Sequence, residues 1–191
     1  MDDAPGAGSR PTYVLVDGEN IDATLGASIL GRRPQPAERP RWERLLQFVA
    51  DGARGDTHGL FFLAVTSELP MSFVQALTAM DYKPIPLRGD GEEKVVDIAI
   101  LRTLEELRRR DADVVLVSND GDFAEHLGAL LDGNRRVSLV AFDEFRNHQF
   151  AALAARGLRL FDLEHDVRAF TSRLPRVRII PIAEFDPADF L

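Results

Sequence analysis

Residues 13–20 read YVLVDGEN. Four residues of apolar strand run straight into an acid, a glycine, a second acid and an amide, so the stretch must leave a packed interior and arrive at a polar edge within two residues. The same grammar returns at residues 113–123, DVVLVSNDGDF, where a strand that is apolar on both faces ends in a serine, an asparagine and two aspartates. Strands without polar alternation are the mark of a parallel sheet covered on both sides.

Working outward from these two stretches, short apolar runs alternate with segments of helical spacing. Strands are expected at Tyr13 to Val16, Leu60 to Val65, Pro84 to Leu87, Asp113 to Val117 and Arg136 to Phe142, with a weaker one at Leu158 to Phe161. Helices are expected at Ile21 to Leu30, Trp42 to Ala53, Met71 to Met80, Val95 to Arg110, Phe123 to Leu131 and Glu144 to Ala155. Strand, helix, strand in repetition implies a three-layer α/β/α sandwich around a central parallel sheet. Residues 1–11 are expected to be a mobile tail, 12–162 the α/β domain, and 163–191 a short charged helix followed by an extended, proline-broken tail. No internal repeat is present.

Composition narrows the classes. A chain of 191 residues that is 45% hydrophobic has enough apolar mass for one packed domain. It has no cysteine, which excludes disulfides, thiolate zinc sites and a cysteine nucleophile. No signal peptide and no run long enough to cross a bilayer are visible, so a soluble, cytoplasmic protein is expected, with no membrane partner. The net charge of −8 argues against a general electrostatic grip on nucleic acid.

Asp17 and Glu19 lie just past the end of the first strand, and Asp120 and Asp122 just past the end of the fourth. In open α/β sheets, ligands bind outside the carboxyl ends of the strands where the winding order reverses. With a strand order of 3-2-1-4-5, these two acidic turns face each other across one crevice. A fifth acid, Asp97 in KVVDIAIL, is flanked by aliphatic residues and shares a helical face with Lys94 and Leu101. Asp17, Asn20, Ser118 and Asp120 could each serve as a helix cap, and Asp122 as a first-turn acid against the helix dipole. One cap per helix suffices, however, and each turn holds a surplus of acids. Carboxylates gathered in one crevice repel unless a cation binds them, and oxygen-only ligands select Mg2+ or Mn2+.

VDGEN, then KVVD, then SNDGDF, in this order on an alternating α/β chain, resembles the NYN branch of the PIN-like nucleases. The likeness covers Tyr13 to Phe142. It implies a PIN-like sandwich and a ribonuclease that hydrolyses RNA with a divalent metal, Mg2+ or Mn2+, held by Asp17, Asp97, Asp120 and Asp122. Asn20 would orient a ligand or the scissile phosphate. Asn119 stands where the family commonly has glycine. The histidines, His58, His126, His148 and His165, lie outside the three motifs, and only His126 is expected near the crevice.

Two other folds place acids similarly. Haloacid dehalogenase phosphatases need D-x-D after the first strand, and Glu19 occupies the second position here. The toprim fold pairs a glutamate with a later D-x-D but leaves Asp17 and Asp97 unexplained. GDGEEK, residues 89–94, lacks the spacing of a phosphate-binding loop. The remaining alternative is a non-catalytic RNA-binding or regulatory module of PIN-like fold. In either case the RNA contacts are expected from Lys94 and from the loop GRRPQPAERPR, residues 31–41, with Arg32, Arg33 and Arg41 on phosphate and Trp42 as a stacking surface.

Overall fold

The computed structural model describes residues 9–90, 93–176 and 182–190. Its centre is a six-stranded, all-parallel sheet in the order β3-β2-β1-β4-β5-β6. The strands are β1 (Thr12–Asp17), β2 (Thr57–Ala64), β3 (Tyr82–Leu87), β4 (Asp113–Val117), β5 (Val137–Ala141) and β6 (Arg159–Asp162). The order reverses between β1 and β4, which pair in register from Thr12 opposite Asp113 to Val16 opposite Val117. Both strands are buried along nearly their whole length, as their unbroken apolar character requires.

Side chains of successive strand residues point to opposite faces, so the sheet has two separate cores. Val14, Val16, Val115, Val117, Val140 and Phe142 face one way. There they meet α1 (Gly18–Thr24), α2 (Trp42–Gly52) and α3 (Met71–Ala79), which contribute Ile21, Leu45 and Leu77. Leu15, Val114, Leu116, Leu139 and Ala141 face the other way, toward α4 (Val95–Leu107), α5 (Ala124–Leu130) and α6 (Gln149–Ala154). Right-handed crossovers dictate this split: connections that step from β1 to β2 to β3 run over one face, and those that step back through β4, β5 and β6 run over the other.

Several elements depart from the sequence pattern for identifiable reasons. The helix expected over Ile21 to Leu30 is α-helical only to Thr24 and continues as a wider π-type turn over Leu25–Leu30, closed by Gly31 in the left-handed region at φ 67°. The helix expected over Glu144 to Ala155 is interrupted, because the Asn147 side chain accepts a hydrogen bond from the Gln149 amide and restarts the chain as α6. Among the described residues no α-helix follows β6, only short 3-10 turns at Ile182–Glu184 and Pro187–Phe190. Asp162 accepts from the Glu164 and His165 amides to form a single turn, and Arg168 at φ 56° ends it. The core does not stop at residue 162: Leu163, Val167, Ala169, Phe170 and Leu174 are buried against the α1–α3 face, with Phe170 stacked on Phe142 at 5.8 Å. At the other terminus, Arg10 and Pro11 are pinned. Arg10 pairs with Asp111 at 2.6 Å, and the Pro11 carbonyl accepts from the Asp113 amide. Residues 1–8 of the expected mobile tail lie outside the described residues. Pro84 and Pro86 are accommodated because β3 is an edge strand.

The glycine in VDGEN has a steric purpose. A β-carbon on Gly18 would stand 2.5 Å from Cζ of Phe61. That ring cannot retreat, because Trp42, Phe73 and Tyr82 hold it in edge contacts at 5.1, 5.5 and 5.9 Å. Gly18→Ala is therefore expected to destabilise the fold by about 1–3 kcal/mol through overpacking. Chemical denaturation of the two proteins measures this, and equal midpoints would show that the ring yields.

Candidate active-site cleft at the carboxyl edge

The turn after β1 and the turn after β4 are stitched together by buried hydrogen bonds. Asp17 is the last residue of β1, and only 2% of it is exposed. Its Oδ1 accepts from the Asn20 amide at 3.1 Å, which caps α1, and its Oδ2 accepts from the Ser118 hydroxyl at 3.0 Å. Ser118, wholly buried beyond β4, accepts in turn from the Asp120 amide at 3.1 Å. Asp120 then caps the short turn Gly121–Phe123 by accepting from the Asp122 amide at 3.0 Å. Capping and cleft formation are thus compatible, since a carboxylate has two oxygens and several lone pairs.

Asn20 and Asn119 complete the stitching. The Asn20 side-chain oxygen accepts from the Asn119 amide at 2.7 Å. Asn119 spans to the end of β5, donating to the Phe142 carbonyl at 3.0 Å. The asparagine in place of the family's glycine therefore acts as a clamp between strand ends. Glu19 ties the same edge to β2 by accepting from the Ala64 amide at 3.0 Å. Sequence reasoning treated Ser118 only as a potential cap and gave Asn119 and Glu19 no role, because their partners lie on other strands.

Asp17, Asn20, Asp97 and Asp120 line one open cleft of about 290 Å3, together with Glu19, Glu93 and Lys94. Asp97, in the first turn of α4, is partly buried and pairs with Lys94 Nζ at 3.6 Å. Asp122 is exposed beside this cleft rather than in its lining. Burial pushes the Asp17 carboxyl up to about 6; the Asn20 and Ser118 hydrogen bonds pull it down, and the charges of Asp97 and Glu19 raise it further. Burial also raises Asp97. Lys94 opposes that rise, and Asp120 and Asp122 add to it. These acids share one electrostatic field. Yet among the described residues no three acids or histidines converge closely enough to hold one ion directly. None of the four histidines lines the cleft.

The arginine loop lies on the same side. A groove of about 540 Å3 lined by Asp22, Arg32, Arg33 and Arg39 adjoins the cleft and shares Ala23 with it. Arg33 is exposed there, whereas Arg32 is clasped by both oxygens of Glu38, and Arg39 pairs with Asp22 at 3.0 Å. Arg41 does not line this groove. It donates to Thr171 Oγ1 at 3.0 Å, and its amide to the Ala169 carbonyl, anchoring the segment after β6. The stacking role expected of Trp42 is ruled out by burial: it is 5% exposed, sits edge-on to Phe61, and its carbonyl accepts from the Tyr82 hydroxyl.

A doubly wound parallel sheet whose carboxylates collect at the carboxyl edge, above the switch point between β1 and β4, defines an open α/β protein with a ligand crevice. The chain belongs to the NYN domain family, which matches residues 11–159 and is generally nuclease-like. Among curated proteins none matches the chain. The fold is similar to the crystal structure of a protein of unknown function from Vibrio parahaemolyticus, with a TM-score of 0.64 and 17% identity, over 85% of this chain and 98% of that one. Among the described residues no helix is long and apolar enough to cross a membrane.

The raised Asp17 sets a pH dependence. A carboxyl at about 6 in the native state against 3.8 ordinarily binds protons more tightly when folded. Its contribution to stability is therefore full below pH ~4 and lost as pH rises through ~6, a cost of about 3 kcal/mol at 1.36 kcal/mol per pH unit. Asp17→Asn is expected to flatten the stability profile between pH 4 and 7 and to equal or exceed the wild type at pH 7. Urea melts across that range test it, and parallel profiles for the two proteins would exclude the assignment.

Proposed function

We propose that the protein is a ribonuclease that hydrolyses RNA phosphodiester bonds with a divalent metal, Mg2+ or Mn2+. The observation that carries the reading is the gathering of Asp17, Asp97 and Asp120, from β1, α4 and the turn after β4, onto one cleft at the switch point. NYN family membership supports a nucleic-acid substrate. The donor set fits a hard cation in its chemistry, being carboxylate oxygen throughout. With no three acids in direct ligating range among the described residues, one or two carboxylates would bind the ion directly and the rest through water, as suits Mg2+. Such an ion neutralises phosphate charge and lowers the pKa of a bound water.

The chain's own groups have distinct parts in this reading. Asp17 and Asp120 are fixed by their hydrogen bonds to Ser118 and its amide neighbours, so their positions are set before a ligand arrives. Asp122, exposed beside the cleft, would add a carboxylate to the set that holds the ion. Asn20 uses its oxygen within the fold and presents its amide to the cleft, where it positions the scissile phosphate. Lys94, paired with Asp97, exchanges that partner for phosphate.

Wild-type protein with Mg2+ or Mn2+ is expected to cleave single-stranded RNA, leaving 5′-phosphate ends, and EDTA to abolish cleavage. Asp120→Asn and Asp97→Asn are each expected to lower the rate by on the order of 10²–10³-fold, the scale on which one group that stabilises developing charge acts. Undiminished cleavage in both variants would sink the reading, while metal-independent RNA binding without cleavage would establish the non-catalytic RNA-binding module instead.

For the arginine groove the geometry distinguishes residues. Arg33→Ala is expected to reduce the log-log salt slope of single-stranded RNA binding by about 0.7, one phosphate contact. Arg32→Ala should reduce it less, because Glu38 already holds that guanidinium. Arg41→Ala should leave it unchanged. Titrations at several salt concentrations decide this, and an altered slope for Arg41→Ala alone would place the RNA elsewhere.

A further inference from the structure

At the opposite end of the sheet, under the amino ends of the strands, lies a second cavity, of about 350 Å3. Its floor is the face of β4, β5 and β6 that carries Val115, Ser138 and Val140, the same face that meets α2. Ser138 stands between Val115 and Arg159 in one row of this floor, and Val140 beside Phe161 in the next. The last turns of α2, with Phe48 and Val49, form the wall. Phe48 meets Phe161 edge to face at 5.2 Å.

The polar groups here are unusual for a sheet interior. Thr12 is 4% exposed, lines the cavity, and its hydroxyl has no hydrogen-bond partner. Ser138, also 4% exposed, lines it as well. The Thr12 oxygen is closed off from the cavity, so Ser138 supplies the hydroxyl of its lining. Two cations and two carboxylates, Asp51 and Asp113, complete the set, and the Asp51 carboxylate already accepts from Gln47 at 2.6 Å. Arg136 is exposed and positioned by one donation to the Gly52 carbonyl at 3.0 Å, and Arg159 lies over the Phe161 ring at 5.2 Å. Neither forms an ion pair among the described residues, whereas the nearby acid Asp113 is matched by Arg54 at 3.0 and 2.5 Å. Apolar walls, a hydroxyl and uncommitted cations, in a volume of this size, are the make-up of a small-molecule site.

We propose that this cavity binds a small anion with a ring-sized apolar body: its phosphate or carboxylate on Arg136 and Arg159, its ring against Phe48, Val140 and Phe161, and a polar atom beside Ser138. The site is independent of the acidic cleft, since its lining shares no residue with it.

The test uses the full chain with phenyl phosphate and 3-phenylpropionate as the two anionic probes and 3-phenylpropanol as the neutral one, followed by amide chemical-shift titration. Saturable shifts at Gly52, Asp113 and Ser138 are expected with at least one anion, and which one binds more tightly identifies the head group. The alcohol should bind about tenfold more weakly, and Arg136→Gln with Arg159→Gln should cost about tenfold per arginine, as befits charge-assisted hydrogen bonds. Both arginines are exposed, so the variants should fold, and their melting midpoints check it. Asp120→Asn should bind the probe as the wild type does. The proposal is overturned by the absence of saturation at millimolar probe, by equal affinity for the alcohol, by unchanged affinity in the arginine variants, or by shifts confined to the Asp17 and Ser118 edge.

Discussion

The hydrogen bond from the Ser118 hydroxyl to Asp17 is the join on which the carboxyl edge depends. It links the ends of β1 and β4, which are 101 residues apart in sequence, at the one place where the sheet changes direction. Because Ser118 also accepts from the Asp120 amide, a single buried hydroxyl ties the Asp17 carboxylate to the backbone of the second turn, where the Asp122 amide holds the Asp120 carboxylate. Asn20 and Asn119 repeat the connection a few ångströms away and extend it to β5. A buried network of this kind is stable only when every member is satisfied, which is why three small polar residues cluster where the strands are otherwise aliphatic.

Holding acids together has an electrostatic consequence that the fold does not cancel. Asp17 is shifted upward mainly by burial, and Asp97 by burial together with its acidic neighbours, with Lys94 as the local counterweight. Burial and like charge both favour the neutral form of these two acids. The neighbouring arginine groove moderates the field on one side, so the protein's net charge of −8 is a poor guide to the potential along the carboxyl edge.

How much of this could be seen in the sequence varied with the range of the interactions involved. Strand and helix order were legible because hydrophobic runs such as VLV and VVLV report burial directly, and the positions of Asp17 and Asp120 at strand ends followed from them. The expected order 3-2-1-4-5 holds, with β6 added outside β5. What stayed hidden depended on partners distant in the chain. Trp42 looks like a stacking surface beside arginines until Phe61 and Tyr82 enclose it, and Arg41 looks like its neighbours until Thr171 claims it. The turn after β6 reads as a helix start because Asp162 is a good cap, but the left-handed Arg168 closes it after one turn. The hydroxyl of Thr12 gave no signal at all, since nothing local marks a side chain by the partner it lacks.

The prolines of β3 determine how this sheet meets other molecules. The Leu87 carbonyl is turned toward β2, where it accepts from the Val65 amide, and backbone direction alternates along a strand. Pro84 and Pro86 therefore present their backbone to the outside, and neither has an N–H to offer. At the far edge, β6 is only four residues long. A seventh strand from another chain would find one border missing the donors of Pro84 and Pro86 and the other only four residues long, which disfavours edge-to-edge growth of the parallel sheet. Partners of this protein are thereby directed to its faces and its strand ends.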